Sequence, residues 1–246
     1  MVHDAAFTGF GAEASRYQNA RPAYHPDLVQ RFVNRFGSGQ MLEIAAGTGK
    51  FTSQLVSAGV RPVAVEPVDA MRAILAEDLP NLDVQPGTAE DLPAGGHTFD
   101  TVVAAQAFHW FNHGPALDEI HRVLRPSGHL VTVWNVKEGD ADWYRRYMAI
   151  INRFADDTPR HAHMQWRQAI DTDPRFELVD DWQIDNSQNM DREAVVDRAL
   201  SISFIAALQE PTKASVAAEL RAVVADVETP IRFPYRGELQ AWTTGG

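Results

Sequence analysis

The stretch that decides the fold is "MLEIAAGTGKFT", residues 41–52. Apolar residues surround Glu43, the glycines Gly47 and Gly49 follow as G-x-G, and a helical pattern opens at Lys50. A short apolar strand that turns through glycines into a helix is typical of an open α/β sheet, where ligands bind outside the carboxyl ends of the strands. The loop therefore predicts a ligand site, and a tight turn without a ligand is the competing interpretation.

Short apolar, β-branched segments alternate with amphipathic ones on either side of this loop. Such alternation predicts an α/β fold with a mostly parallel sheet covered by helices on both faces. The predicted strands are Met41 to Ala45, Pro62 to Glu66, Leu82 to Gln85, Phe99 to Ala105 and His129 to Trp134.

Helices are predicted where apolar residues recur at helical spacing. They lie in "HPDLVQRFVNRFG" (25–37), "PALDEIHRVLRPSG" (115–128), "DADWYRRYMAIINRF" (140–154) and "ASVAAELRAVVADV" (214–227). The segment "RFELVDDWQI" (175–184) predicts a strand. A last strand is predicted in "IRFPYRGELQAW" (231–242), with a turn or bulge at Pro234 to Gly237.

Composition narrows the class of protein. The 246 residues show no repeat, low-complexity segment or linker, so a single domain over residues 1–246 is expected. The 33 acidic and 22 basic residues give a charge of -11, which disfavours a nucleic-acid partner. The chain has no cysteine for disulfides or thiolate chemistry, and no apolar run approaches the roughly 18 to 20 residues that span a bilayer. We expect a cytoplasmic protein without a membrane partner.

The loop differs from two common nucleotide-binding motifs. Thr52 stands where a dinucleotide fingerprint has its third glycine, and no Gly-Lys-Ser/Thr sequence completes a P-loop. These differences favour a nucleoside ligand that lacks a pyrophosphate. Glu66 ends the second predicted strand, where a carboxylate can accept both hydroxyl protons of a ribose. A solvated surface glutamate is the alternative.

Five motifs now appear in order: "MLEIAAGTGKFT", "VAVEPVDAM", "GTAEDLP", "FDTVVAAQAFHWF" and "ALDEIHRVLRPSGHLVTV". Together they resemble class I S-adenosylmethionine-dependent methyltransferases, in particular the methyltransferase type 11 group with its trans-aconitate methyltransferase-like proteins. The resemblance covers about residues 10–136, and "RFPYRGEL" resembles the last strand of that family. It implies a Rossmann-like, doubly wound, seven-stranded, mostly parallel sheet with a helical cap or insertion. S-adenosylmethionine would be the cofactor and S-adenosylhomocysteine its product.

The resemblance also implies a cofactor site in a core of about residues 38–136. The loop would contact the methionine moiety, the acid after the second strand would bind the ribose, and residues after the third strand would meet the adenine. The implied residues are Glu43, Ala45, Gly47, Gly49, Glu66, Pro67, Met71, Thr88, Ala89, Glu90 and Gln106. Ala45 departs from the family, which has glycine there. An ordinary backbone dihedral at Ala45 would tolerate the extra methyl group.

An N-terminal cap of about residues 8–36 resembles the segment that closes over the cofactor in this family. Tyr17 and Arg21 would contact the cofactor and Tyr24 the substrate, since a guanidinium pairs with both oxygens of a carboxylate. A surface arginine with two packed tyrosines is the competing interpretation. Substrate selection is assigned to this cap and to further cap elements within about residues 140–210.

The segment "QAFHWFNHG" follows the fourth predicted strand on the ligand side of the sheet. His109 is the candidate general base, because imidazole accepts a proton near neutral pH. It could instead order the loop. Phe108 and Trp110 are candidate walls of a substrate channel or ordinary core. A metal site with His113 is disfavoured, because Gly114 and Pro115 interrupt a shared helix and no third ligand is evident.

The leading hypothesis is an enzyme that transfers a methyl group from S-adenosylmethionine to a small molecule, preferentially to a hydroxyl or carboxylate oxygen of a metabolite, sugar or natural product. The protein would act as a monomer or homodimer. A catalytically inactive protein that binds S-adenosylmethionine or S-adenosylhomocysteine is the alternative. An NAD-dependent oxidoreductase ranks third, since Thr52 opposes it.

Overall fold

A computed structural model describes residues 22–155 and 161–245. The predictions for Tyr17 and Arg21 lie outside these residues. Seven strands form one sheet in the order β3-β2-β1-β4-β5-β7-β6. They are β1 (Met41–Ile44), β2 (Val63–Val65), β3 (Val84–Gln85), β4 (Phe99–Ala105), β5 (Leu124–Lys137), β6 (Phe176–Met190) and β7 (Ile231–Thr244).

Helices occupy the connections between the strands. They are α1 (Pro26–Phe36), α2 (Lys50–Ser57), α3 (Asp69–Asp78), α4 (His113–Val123), α5 (Asp142–Asn152), α6 (Gln165–Asp171), α7 (Arg192–Leu200), α8 (Ser203–Ala206) and α9 (Glu210–Val224). Short 3-10 helices span Phe108–Trp110 and His161–His163. Within residues 22–155 and 161–245, no helix is long and apolar enough to cross a membrane.

The strand pairing confirms the predicted seven-stranded, mostly parallel sheet. The strands β1 to β5 pair in parallel, and β7 inserts antiparallel between β5 and β6. Leu42 of β1 lies opposite Val63 of β2 on one side and Val102 of β4 on the other. Because these strands are parallel and in register, their carboxyl ends meet at one edge of the sheet.

Three apolar clusters hold the elements together. One face of the sheet packs on α4 and α6 through Trp134 and Trp166, and the other packs on α1 and α2 through Phe32 and Phe51. A third cluster joins α5, α7, α8 and α9 to the ends of β6 and β7 around Tyr147. The first two clusters are the layers of a doubly wound sheet, and the third builds the helical cap.

Several predicted boundaries were wrong. Pro234 to Gly237 contains no turn or bulge, because β7 pairs with β6 without interruption there, and the shift in register lies between Leu178 and Asp180 of β6. β5 ends opposite Tyr235, so Pro234 has one neighbouring strand and its missing N–H interrupts at most one ladder.

The α4 helix ends earlier than the segment 115–128 predicted. It ends at Val123, and Leu124 begins β5, where it pairs with Phe99. The helix in 214–227 is also displaced, since α9 starts at Glu210 and ends at Val224. Tertiary pairing with β4 and β7 therefore extends strands into segments whose local sequence signals a turn or a helix end.

Candidate active site

A cleft that is partly open to solvent lies at the carboxyl ends of β1 and β4. The glycine loop forms one side of it, and residues from β5, the α7 helix and the segment before α1 form the other. Its lining comprises Pro22, Tyr24, Glu43, Ala45, Ala46, Gly47, Thr48, Lys50, Phe51, Ala105, Gln106, Asn135 and Arg198. The strand ends thus bring four sequence-predicted cofactor residues and Tyr24 to one cleft.

The glycine loop takes left-handed backbone conformations at three positions. Gly47 has φ 62° and Gly49 has φ 83°, both accessible to glycine without strain. Ala45 has φ 53°, so the condition of an ordinary dihedral, under which the extra methyl group would be tolerated, is not met. Gln106, after β4, has φ 61°. Left-handed conformations cost a non-glycine residue about 1–2 kcal/mol, and such strain clusters at functional sites.

Glu66 fastens the loop to the end of β2. Its carboxylate accepts hydrogen bonds from the backbone N–H of Gly47 at 2.8 Å and of Val68 at 2.9 Å. The residue is 3% exposed, so it is not a solvated surface glutamate. Burial raises the pKa of Glu66, while the two backbone N–H groups and Arg72 lower it. The Glu66 carboxylate therefore fixes the conformation of the glycine loop, and it lies next to the cleft.

Glu43 is the second buried acid of the site and is 1% exposed. Burial raises its pKa to about 8, with a smaller upward effect from Glu66 and a downward one from the Thr52 hydroxyl. Within residues 22–155 and 161–245, Glu43 Oε2 has no hydrogen-bond partner. A buried acceptor without a partner is costly, so this oxygen fits a donor group brought by a ligand.

The other residues implied for the cofactor lie behind or beside the loop. The Met71 sulfur lies 3.9 Å from the position that a Cβ on Gly47 would occupy, and Met71 is 4% exposed. Pro67 follows Glu66 and is partly exposed. Thr88 bridges to Asp91, Ala89 is buried, and Glu90 Oε1 accepts from the N–H of Asn112 at 2.8 Å. None of these side chains lines the described cleft, and their roles at an adenine stay predictions.

Tyr24 and Gln106 flank the opening. Gln54 holds the Tyr24 backbone through two hydrogen bonds, at 2.8 Å and 2.9 Å, and the Tyr24 ring meets Phe51 edge-on at 4.9 Å. The Gln106 N–H donates to Val133 at 2.8 Å, which fixes the turn after β4. Both side chains therefore reach the cleft from firmly held backbone.

The "FHW" segment forms a 3-10 helix that only Ala107 separates from Gln106. The His109 ring lies 5.0 Å from Trp110 and 5.4 Å from Trp134, centroid to centroid. Phe108 is 0% exposed and packs beside Trp166, which favours the core interpretation over a channel wall. The described lining of the cleft contains none of residues 108–110. Their roles in catalysis and substrate binding therefore stay predictions.

A family model described as a methyltransferase domain matches residues 42–132. An uncharacterised methyltransferase of Mycobacterium tuberculosis is 32% identical over 195 residues, which cover 79% of this chain and 76% of that protein. The chain belongs to the class I S-adenosylmethionine-dependent methyltransferases. The enzyme class predicted from the five motifs is thereby confirmed, while the trans-aconitate methyltransferase-like detail stays a prediction.

Solved structures share the fold of this methyltransferase. A protein from an antibiotic biosynthesis pathway of Anabaena variabilis superimposes with a TM-score of 0.66 at 19% identity, covering 92% of this chain and 99% of that one. The [4+2]-cyclase SpnF superimposes with a TM-score of 0.57 at 16% identity, covering 92% and 85%. The fold alone therefore does not fix the reaction, which must be argued from the site.

Four polar residues of the methyltransferase cleft were not predicted from sequence, and Thr48 of the glycine loop is one of them. Lys50 follows Gly49, and burial lowers its pKa. Asn135, near the end of β5, donates to the Ala23 carbonyl at 3.2 Å. Arg198 lies on α7 and is 2% exposed. The one available signal was an arginine on the apolar face of "REAVVDRAL", between Val195 and Ala199.

Proposed function

We propose that this methyltransferase transfers the methyl group of S-adenosylmethionine to an oxygen atom of a small molecule. The observation that carries the proposal is the pair of buried acids, Glu43 and Glu66, at the carboxyl ends of adjacent parallel strands beside the left-handed glycine loop. The cofactor supplies a methyl group already activated on a positively charged sulfur. The protein then has to hold the cofactor, align the acceptor and exclude water.

Each of the two acids would bind a different part of the cofactor. Glu66 can accept further hydrogen bonds beside those from Gly47 and Val68, since a carboxylate offers about four acceptor positions. That capacity suits the two ribose hydroxyls. Glu43, with its Oε2 facing no donor in the described part of the chain, suits the ammonium group of the methionine end. Gly47 leaves the approach open, because it carries no side chain.

The residues that contact the acceptor would determine which atom is methylated. Transfer forms a bond between the acceptor oxygen and the methyl carbon and breaks the carbon–sulfur bond, whose electron pair stays on sulfur. A hydroxyl acceptor also loses its proton, and we assign its removal to His109, which follows the left-handed turn at Gln106. A carboxylate acceptor requires no base. Trp110 and Tyr24 would confine the acceptor, which is a small molecule. The acting form of the enzyme would be a monomer or a homodimer.

A binding protein without catalysis is the second candidate, and Ala45 in place of the family's glycine is the observation that favours it. The left-handed φ of 53° at Ala45 weakens this alternative, because the loop keeps the conformation that glycine would take. An NAD-dependent oxidoreductase remains the third, since Glu66 would serve a dinucleotide ribose as well.

The deciding experiment compares thermal unfolding of the full chain with S-adenosylmethionine, S-adenosylhomocysteine, NAD and no ligand. A ligand at about a hundred times its Kd stabilises by about 2.7 kcal/mol, which raises the midpoint by roughly 5–10 °C. A rise with the two adenosyl ligands alone supports the cofactor site. Methyl transfer to hydroxyl or carboxylate members of a metabolite panel, followed by mass spectrometry, then tests the acceptor. A rise with NAD alone overturns the proposal.

A further inference from the structure

We infer that Glu43 is protonated in the free enzyme and releases its proton to solvent when the cofactor binds, so that affinity for the cofactor rises with pH. The inference rests on the proposed function, because the ammonium group of S-adenosylmethionine or S-adenosylhomocysteine would be the cation that replaces the proton. The pair of acids at the glycine loop would thereby make cofactor loading depend on pH.

Glu43 lies where an ionised carboxylate is poorly stabilised. It belongs to the central strand β1, between Ala64 of β2 and Val103 of β4, and is 1% exposed. In the part of the chain that the structure describes, its Oε2 has no hydrogen-bond partner. An ionised carboxylate that is buried without an opposite charge is so costly that such a group takes up a proton instead.

The neighbouring acid Glu66 is better supplied with donors. Its carboxylate accepts from the backbone N–H groups of Gly47 and Val68, and the charge of Arg72 also favours its ionised form. Glu43 instead has the neutral hydroxyl of Thr52 beside it, and Glu66 acts on it as a like charge. Two interacting buried acids do not both ionise readily. The proton therefore resides on Glu43, whose pKa burial raises to about 8.

Other titratable groups approach the same cleft from the elements around it. Its described lining also contains Lys50 of α2, Arg198 of α7 and Tyr24 before α1. Among the described groups, burial, Thr52 and Glu66 set the pKa of Glu43. Burial lowers the pKa of Lys50, so an anion bound beside Lys50 would cause uptake of a proton. The direction of proton transfer therefore distinguishes Lys50 from Glu43.

Binding of the cofactor replaces the proton of Glu43 with another cation. The O–H bond of Glu43 breaks, the proton passes to solvent, and the carboxylate accepts hydrogen bonds from the ammonium group of the ligand. The ammonium charge favours the ionised form and so lowers the pKa of Glu43 in the complex. Since the complex then holds fewer protons than the free protein, affinity rises with pH below about 8 and levels off above it.

The test is calorimetric titration of the full chain with S-adenosylhomocysteine between about pH 5.5 and pH 7, where the amino group of the ligand keeps its proton. Titrations in two buffers of different ionisation enthalpy should show release of about one proton per ligand, and Kd should fall by about 10- to 30-fold across this range. The ligand 5′-methylthioadenosine keeps the adenosine and the sulfur but has no amino-acid end. It should bind without releasing a proton.

Three variants assign the proton to its residue. Glu43→Gln keeps the shape of the side chain but cannot ionise, so its Kd should not depend on pH and should approach the wild-type Kd as pH falls. Glu77→Gln changes an exposed acid on α3 and should keep the wild-type pH dependence. If Glu66 were the source of the proton, Glu66→Gln would lose the pH dependence instead.

Thermal unfolding checks that the variants fold, and the proton count of the wild type with the two ligands decides the question if Glu43→Gln does not. Failure of the wild type to bind S-adenosylhomocysteine would contradict the proposed function itself. The proton release alone is overturned if S-adenosylhomocysteine binds without it, if 5′-methylthioadenosine releases as many protons, or if Glu43→Gln keeps the pH dependence.

Discussion

The two halves of the sheet differ in how they supply the cleft. In the half formed by β3, β2, β1 and β4, the polar groups are held by nearby backbone, as when Glu66 accepts from Gly47 and Val68. In the half formed by β5, β7 and β6 with the cap helices, side chains hold one another across long stretches of sequence, as Tyr235 holds Arg198. In the proposed function, the two acids that would hold the cofactor therefore lie within one short span of sequence, residues 43–66, whereas the acceptor side depends on how the cap packs.

The largest effect is expected at His109, which lies where the two halves meet. If His109 is the base for a hydroxyl acceptor, His109→Ala should lower kcat by about a hundredfold or more. The measurement is single-turnover methyl transfer to an acceptor found in the metabolite panel. His163→Ala, on an exposed histidine, is the control. A loss of less than about tenfold would assign His109 to packing against Trp110 and Trp134 instead.

The next largest effect concerns the first half of the sheet alone. Glu66→Ala should raise the Kd for S-adenosylhomocysteine by about 10- to 100-fold, because charge-assisted hydrogen bonds to the ribose and to the loop are lost. Calorimetric titration measures it, and Glu77→Ala, an exposed acid on α3, should leave the Kd unchanged. An unchanged Kd in the Glu66 variant would contradict the comparison of the two sheet halves, since cofactor binding would then not depend on Glu66.

The third prediction concerns pH and the buried acid Glu43. Its folded pKa of about 8 lies above the ordinary 4.5, so the native state binds a proton that the unfolded state releases between these values. Stability from this group is full below pH 4.5 and falls as pH rises toward 8, by up to about 1.4 kcal/mol per pH unit. Glu43→Gln removes this contribution. Denaturant titrations at several pH values should give a flatter profile for the variant than for wild type or Glu77→Gln. Parallel profiles would contradict the prediction.

The smallest effect is expected at Ala45, where the family has glycine. Ala45→Gly relieves left-handed strain of about 1–2 kcal/mol but increases the entropy of the unfolded chain, so a net gain of about 0.5–1 kcal/mol is expected. Ala46→Gly is the matched control, because Ala46 is not among the positive-φ residues and should lose stability by a similar amount. The free energy of unfolding from denaturant titration decides it. Equal losses in both variants would show that Ala45 carries no strain.

The features that the sequence predicted and those that it missed also divide between the two halves of the sheet. The order of strands and helices from 41 to 134, the glycine loop and the position of Glu66 at the end of β2 were predicted, because apolar periodicity and glycine spacing are visible within short stretches of sequence. The turn expected at Pro234 was wrong, since pairing with β6 outweighs the local signal. Arg198 and Asn135 were missed, because only the packing of α7 and the end of β5 against one cleft brings them together.

The sequence by itself determined the α/β class, the family and the edge of the sheet at which the cleft opens, because alternating apolar segments and a glycine turn encode these features within short stretches. Tertiary structure alone decided that Ala45 adopts a left-handed φ, that β5 and β7 extend beyond their apolar patterns, and that Arg198 lines the cleft. The physical reason is the range of the interactions. Turn chemistry and helical periodicity act within a few residues, whereas a buried cation takes its place from contacts between elements far apart in the chain.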